Sequence, residues 1–265
     1  QNAINNRDLH ASDKIQQVIF DRLSEVGIFY DKKEGEWATL SNKAKKIYKN
    51  TDSKDFTKIN NIDLGKAYLS FFLQIPVSSK GRDKLVFSED FYDIIFNHES
   101  EDKQLNKLMF AYRNSELVNR VKEEEENKYE ILQNNYINEI ILSLLIFYYL
   151  KSNVINDIAQ TIKNDKRIEK IKSYLERNDI PFEKYIDQAN KYQLLYDNKI
   201  INYMKKVFQI LSNILTIEKK VYKKTTDKEW TSRDTNNWLK KESTYFDSIL
   251  EQFIEEIVRQ SDLDS

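Results

Sequence analysis

Glycine and proline are scarce in this chain, and this scarcity constrains the fold more than any other feature of the sequence. The 265 residues include 4 glycines and 2 prolines, where a protein of this length ordinarily carries roughly 18 and 13. Tight turns and the short loops of sheet proteins depend on these two residue types. The composition therefore predicts a mainly α protein with long helices and few connections. It also excludes the glycine-rich phosphate loop, the GxGxxG fingerprint and the GxSxG nucleophile elbow.

Apolar residues recur at helical spacing along most of the chain, which predicts a multi-helix bundle. The most apolar run, residues 140–150, is 11 residues long, whereas a membrane span needs about 20. We therefore expect a buried core helix there and no membrane partner. A last helix is expected over residues 235–259, with an apolar seam that includes Leu250 and Phe253. Such a seam packs either inside one bundle or between two copies of the chain, so the sequence is also compatible with a homo-oligomer.

Residues 27–37 interrupt the helical pattern. Gly27 is placed to end the preceding helix in the left-handed conformation. Two short apolar runs then flank a charged segment that contains Gly35. This arrangement predicts one small β-hairpin near the N-terminus, at about residues 28–40, with Gly35 at its tip.

A run of four glutamates near residue 125 marks a change in the organisation of the chain. It predicts a division into a helical region with the hairpin, residues 1–125, and a C-terminal helical bundle, residues 126–265.

The residue types that serve metal binding and catalysis are rare or scattered. There is no cysteine, and His10 and His98 are too far apart for a metal-ligand motif. The formal net charge of −1 creates no overall field toward nucleic acid or membrane. We expect no metal, no cofactor and no catalytic residue. An enzyme whose site forms only in three dimensions stays open as an alternative.

Two clusters of lysines surround Tyr48 and Tyr222. Lysines with an interleaved aromatic residue can follow a phosphate backbone and stack a base, although a solvated helix face gives the same pattern. Nucleic-acid binding is therefore a second alternative function. The candidate phosphate-contacting residues are Lys43, Lys45, Lys46, Lys49, Lys219, Lys220, Lys223 and Lys224.

Three blocks stand out in residues 1–97. The first comprises Gln1-Asn2-Ala3-Ile4, Arg7-Asp8-Leu9, Asp13, Gln16, Gly27-Ile28-Phe29-Tyr30, Lys33 and Gly35-Glu36-Trp37. The second comprises Ile62-Asp63-Leu64-Gly65-Lys66-Ala67-Tyr68-Leu69 and Pro76, and the third comprises Phe87 and Tyr92-Asp93-Ile94-Ile95-Phe96. Together they resemble the AIPR family of bacterial abortive-infection phage-resistance proteins.

The resemblance implies a role in antiphage defence, and we expect a cytoplasmic location. Family members extend further on the N-terminal side, where a nuclease-like region is expected. The chain is then the non-catalytic C-terminal helical portion, which senses for, regulates or scaffolds that effector. Its expected partner is the N-terminal remainder of the parent protein, with nucleic acid or a phage component as alternatives. The resemblance assigns no role to individual residues.

Five residues of the first block have no evident backbone role. Cationic and aromatic side chains at one edge suit a phosphate, a nucleotide or a partner peptide, while local pairing and packing are the structural alternative. The candidate binding residues are Arg7, Asp8, Tyr30, Lys33 and Trp37.

Overall fold

The computed structural model describes residues 14–25, 27–32, 35–45, 48, 58–78, 81–97, 100–149 and 198–263. Most of these residues are helical, and a two-stranded sheet lies near the N-terminus. The prediction of a mainly α protein with one small sheet in this region is confirmed.

The elements follow one another with few strands among them. In chain order they are α1 (Lys14–Glu25), β1 (Phe29–Asp31), α2 (Glu36–Thr39), α3 (Asn42–Lys45), β2 (Lys58–Asn60), α4 (Asn61–Phe71), α5 (Arg82–Val86), α6 (Glu89–Phe96), α7 (Glu101–Glu125), a 3₁₀ turn (Glu130–Gln133), α8 (Ile137–Tyr149), α9 (Asn198–Thr226), α10 (Ser232–Leu239), a π-helical segment (Thr244–Leu250) and α11 (Glu251–Leu263).

The described residues form two compact units. The first contains those within Gln1–Tyr68 and Lys80–Tyr112, and the second contains those within Leu69–Ser79, Arg113–Ile180 and Leu195–Ser265. The division into residues 1–125 and 126–265 stays a prediction.

In the first unit, α1 ends as its sequence predicts. Gly27 has a φ of 76°, a left-handed conformation that costs glycine little because it lacks a Cβ atom. The Gly27 N–H donates to the Ser24 carbonyl at 3.0 Å, and the Ile28 N–H donates to the Leu23 carbonyl at 2.8 Å. This pair of bonds satisfies carbonyl groups at the end of α1 and directs the chain into β1.

The small sheet is not a hairpin. β1 pairs in parallel with β2, and Tyr30 lies opposite Ile59. The predicted hairpin at about residues 28–40 is therefore wrong in its second strand, because Glu36–Thr39 forms α2. The second strand of the sheet comes from further along the chain.

Side-chain bonds in the turn explain why a helix forms here. Gly35 precedes α2 with a φ of 93°. The Asp31 carboxylate accepts a hydrogen bond from the Glu36 N–H at 3.2 Å, and the Glu36 carboxylate accepts one from the Lys32 N–H at 3.2 Å. The first bond satisfies a donor that a helix N-terminus leaves open. The charged residues thus form a helix start where the sequence suggested a hairpin tip.

The second unit has α8 at its core. Residues 140–147 of this helix are all buried, so the prediction of a buried core helix is confirmed. Within the described ranges, no helix combines the length and the apolar character that crossing a membrane requires.

The C-terminal part of the second unit contains three helical segments where the sequence predicted one helix over residues 235–259. α10 ends at Leu239, and a turn at Lys240 and Lys241 precedes the π-helical segment. A π-helix places more residues in each turn than an α-helix does. This change of phase leaves Tyr245, Ile249 and Leu250 of the segment all buried.

The predicted seam is internal to the second unit. Leu250 and Phe253 are 1% and 0% exposed, and the Phe253 ring centroid lies 5.7 Å from that of Phe147. Homo-oligomerisation stays a prediction, but these two side chains are already covered within the chain.

Candidate functional site

A chain of buried hydrogen bonds runs through the residues that carry the family resemblance. The Tyr30 hydroxyl donates to Gln16 Oε1 at 2.6 Å. Gln16 Nε2 in turn donates to the Tyr92 hydroxyl at 2.9 Å. The three side chains come from β1, α1 and α6, and all three are buried. One glutamine thus connects the first sequence block to the third.

Burial determines the ionisation of Tyr30. Its removal from water raises the pKa of the Tyr30 hydroxyl well above its ordinary value, and the neighbouring Tyr92, Asp31 and Glu36 add to that rise. The hydroxyl is therefore a neutral donor, and Gln16 supplies its acceptor. This is the chemistry of a buried packing residue.

An aromatic cluster forms around Phe29 of β1. The ring centroids of Phe29 and Trp37 are 5.1 Å apart, those of Phe29 and Tyr48 are 5.1 Å apart, and those of Trp37 and Tyr48 are 6.3 Å apart. Lys45 Nζ lies 5.5 Å from the centroid of the Trp37 ring. Trp37 as a whole is half-buried.

Charged groups fix the ends of the two strands. Asp31 is 1% exposed, and its carboxylate lies 2.9 Å from Lys58 Nζ on the neighbouring strand. Asn61 Nδ2 donates to the Lys32 carbonyl at 2.7 Å. These contacts compensate the buried charge of Asp31 and hold the register of the parallel pair.

The structure describes two of the five candidate binding residues, Tyr30 and Trp37. Arg7, Asp8 and Lys33 lie outside the described residues. Tyr30 is enclosed, and Trp37 is half-buried in the aromatic cluster. The geometry gives Tyr30 and Trp37 clear packing roles, and binding of a ligand by this set stays a prediction.

The lysines around Tyr48 are described only in part. Lys43 is exposed on α3, and Lys45 is half-buried beside Trp37. Lys46 and Lys49 lie outside the described residues. Tyr48 lies beyond the end of α3, is half-buried and packs against Phe29 and Trp37.

The lysines around Tyr222 divide into two pairs along α9. Lys219 Nζ lies 2.5 Å from a Glu130 carboxylate oxygen, and Lys223 forms an ion pair with Glu229. Lys220 and Lys224 are exposed. The first pair is neutralised locally, and the second pair is available to a phosphate.

Sequence reasoning missed Gln16, Tyr92 and Lys58 as members of this site. A signal for Gln16 was present, because residues 16, 19 and 23 fall on one face of a helix and the other two are apolar. No local signal indicated Lys58, since its ion pair with Asp31 forms only when two strands that are distant in sequence come together.

The described ranges contain no group of three or more histidine, aspartate or glutamate residues that could hold a metal ion. Comparison of the chain with known protein families, with curated proteins and with solved structures found no match. The family resemblance therefore depends on the quoted blocks.

Proposed function

We propose that this chain is a non-catalytic helical region of a bacterial antiphage protein that resembles the AIPR family. Its role is to sense for, regulate or scaffold an effector domain held in the N-terminal remainder of the parent protein. The cytoplasm, where phage replication takes place, is the location that fits this role.

One observation carries the proposal: residues of all three sequence blocks have buried hydrogen bonds or close packing in the first unit. Gln16 bonds to both Tyr30 and Tyr92. From the second block, Gly65 lies so close to Val86 that a Cβ atom added to it would come within 2.4 Å of Val86 Cγ1. A pattern whose residues serve packing and buried hydrogen bonds supports a scaffold more than a reaction centre.

A phage-challenge experiment tests the proposal. The parent gene is expressed in a phage-sensitive bacterium, and plaque formation is measured against a panel of phages. We expect the intact gene to reduce plaque formation. A gene that lacks this region, and the 265-residue chain alone, should both fail to protect.

Matched variants connect protection to the first unit. Gln16→Leu removes the buried amide, whereas Gln17→Leu changes an exposed glutamine on the same helix. We expect the first variant to weaken protection and the second to retain it, at equal protein levels. An intact gene that protects against no phage in the panel contradicts the antiphage role. Cleavage of DNA or RNA by the purified chain contradicts the non-catalytic role.

A second function, nucleic-acid binding, has one observation in its favour. Lys220 and Lys224 are one helical turn apart and exposed, and neither has an ion-pair partner within the described part of the chain. Two such lysines give a small cationic surface on a chain whose formal net charge is −1.

A further inference from the structure

A small polar pocket lies in the second unit, between α10 and the segment that contains the 3₁₀ turn. Its volume is about 220 Å³, which is below the ~300 Å³ at which sites for drug-sized ligands begin. All of its lining residues have polar side chains: Glu130, Gln133, Asn134, Asn135, Ser232, Thr235 and Asn236.

Two buried residues form a fixed part of the lining. Asn134 Oδ1 accepts a hydrogen bond from the Tyr136 N–H at 2.9 Å, and its amide group donates to Asn236 Oδ1. Thr235 Oγ1 accepts a hydrogen bond from Trp230 Nε1 at 2.8 Å. Because these polar atoms are already paired, this part of the pocket is preorganised.

The exposed part of the lining has unused hydrogen-bonding capacity. Gln133, Asn135 and Ser232 are exposed, and none of their side chains forms a hydrogen bond in the described ranges. The amide nitrogen of Asn236 also donates no hydrogen bond in the described ranges, since only the Oδ1 atom of this side chain forms one. Two whole carboxamides, a hydroxyl and a further amide N–H₂ group thus surround one small space.

The charges at the pocket are compensated. Both carboxylate oxygens of Glu130 accept hydrogen bonds from Lys219 Nζ, at 2.7 and 2.5 Å. At the start of α10, the Asp234 carboxylate accepts a hydrogen bond from the Thr231 N–H at 2.9 Å. The Thr231 hydroxyl caps this helix by accepting a hydrogen bond from the Asp234 N–H at 3.3 Å, and the Asp234 carboxylate already lies at the helix N-terminus. A neutral ligand fits these electrostatics better than an anion or a cation.

We infer that this pocket binds a neutral polyhydroxylated group of about the size of one sugar ring. A carboxamide offers donors and an acceptor, and a hydroxyl offers both. Vicinal hydroxyls are matched to such a surface, because each can donate to one neighbour and accept from another. Among the described residues, no aliphatic or aromatic residue lines the pocket. The diol can come from a saccharide or from the ribose of a nucleoside.

Nuclear magnetic resonance of the full ¹⁵N-labelled chain tests the inference. The side-chain amide signals of Gln133 and Asn135 are assigned from their disappearance in Gln133→Ala and Asn135→Ala. The chain is then titrated separately with glucose, mannose, galactose, adenosine, dideoxyadenosine and the peptide analogue N-acetylglycinamide. We expect the two signals to move with at least one of the hydroxyl-bearing ligands, at about millimolar affinity.

The ligand series distinguishes the sources. Movement with a hexose alone indicates a saccharide, and movement with adenosine but not with dideoxyadenosine indicates a ribose. Equal binding of dideoxyadenosine overturns the inference, because that compound lacks the diol. Binding of N-acetylglycinamide as tight as that of the best sugar also overturns it, in favour of a peptide. If none of the compounds moves the two signals, the pocket is not such a site.

The alanine variants locate the binding site. Gln133→Ala and Asn135→Ala should each weaken binding about fivefold, the effect of losing one hydrogen bond. Asn213→Ala removes an exposed carboxamide on α9 that does not line the pocket, and it should leave binding unchanged. Equal weakening by all three variants overturns the assignment to the pocket. Circular dichroism confirms that each variant is folded.

Discussion

Gln16 is a single polar residue that forms hydrogen bonds with two buried tyrosines, Tyr30 and Tyr92. Replacement by Leu keeps a similar volume but removes the acceptor of Tyr30 and a donor to Tyr92. Leaving buried polar groups unpaired costs about 1–3 kcal/mol each. We therefore expect Gln16→Leu to lower the free energy of unfolding by about 2 kcal/mol or more, as measured by urea denaturation.

A double-mutant cycle isolates this effect. Tyr30→Phe removes the hydroxyl that Gln16→Leu would leave unpaired, so the double variant should lose less stability than the sum of the two single variants. Gln17→Leu, on the exposed side of α1, should change stability by less than about 0.5 kcal/mol. Simple additivity of Gln16→Leu and Tyr30→Phe would contradict the hydrogen bond.

Buried tyrosines also determine how the protein responds to alkaline pH. Burial raises the pKa of Tyr30 and of Tyr245 above the ordinary value of about 10. Above that pH the unfolded chain loses the two protons while the folded chain keeps them. Stability is therefore fully present below about pH 10 and falls above it, by about 1.4 kcal/mol per pH unit for each tyrosine.

Urea denaturation at a series of alkaline pH values measures this slope, and tyrosinate absorbance monitors ionisation in the folded state. Tyr245→Phe should reduce this slope by about 1.4 kcal/mol per pH unit, the contribution of one proton. The substitution also leaves Gln74 Oε1 without the hydrogen bond that Tyr245 donates at 2.8 Å. An identical slope in wild type and Tyr245→Phe would contradict the assignment.

The residue scale shows where sequence reasoning works and where it fails. The left-handed Gly27 was predictable because helix ends have a local signature. Tyr30 was assigned to a binding edge because it is one of the aromatic residues of the first block without an evident backbone role. Its hydrogen-bond partner Gln16 lies 14 positions away, and Gln16 in turn bonds to Tyr92, 76 positions from Gln16. No local pattern indicates such distant contacts. The polar residue on the apolar face of α1 was the one available clue.

At the scale of elements, the approach of α4 to α5 limits what residue 65 can be. A Cβ atom on Gly65 would lie 2.4 and 2.8 Å from the two Cγ atoms of Val86, and Val86 is fully buried. A short β-branched side chain cannot move aside as a long one can. Gly65→Ala should therefore destabilise the protein by about 1–3 kcal/mol, although alanine favours helices by about 1 kcal/mol.

A compensating substitution tests this explanation. Val86→Ala removes both clashing methyl groups, so Gly65→Ala/Val86→Ala should be more stable than the sum of the single effects predicts. The measurement is the urea midpoint and slope of all four proteins. Val86→Ala alone creates a cavity and serves as the reference. A Gly65→Ala variant that is more stable than wild type would show that α4 and α5 shift apart easily.

At the element scale, the sequence-based predictions were wrong for the small sheet and for the last helices. β1 was predictable from its apolar residues, but its parallel partner β2 lies 29 positions further on. Only tertiary packing brings such strands together. The π-helical segment was not predictable because its sequence has an ordinary three- and four-residue spacing. Its buried Tyr245 bonds to Gln74, a residue with a φ of 57° that itself lies far away in sequence.

At the scale of the whole molecule, the balance of charge decides between the two proposed functions. The formal net charge is −1, and two of the four lysines near Tyr222 are paired with glutamates. A chain of this kind should bind nucleic acid weakly at low salt and lose that binding as salt rises. A scaffold or regulatory region has no need of a steep salt dependence.

Two lysine pairs on α9 make this difference measurable by fluorescence anisotropy with single-stranded DNA. If nucleic-acid binding is the function, Lys220→Gln/Lys224→Gln should reduce the slope of log affinity against log salt by about 1.4, at ~0.7 for each phosphate contact on a single strand. Lys219→Gln/Lys223→Gln, on the same helix, removes cations that already contact Glu130 and Glu229, so it should change the slope less. We expect the intact chain to show only weak binding and neither variant to alter it. A steep slope that falls in the first variant alone would favour a nucleic-acid-binding module over the scaffold.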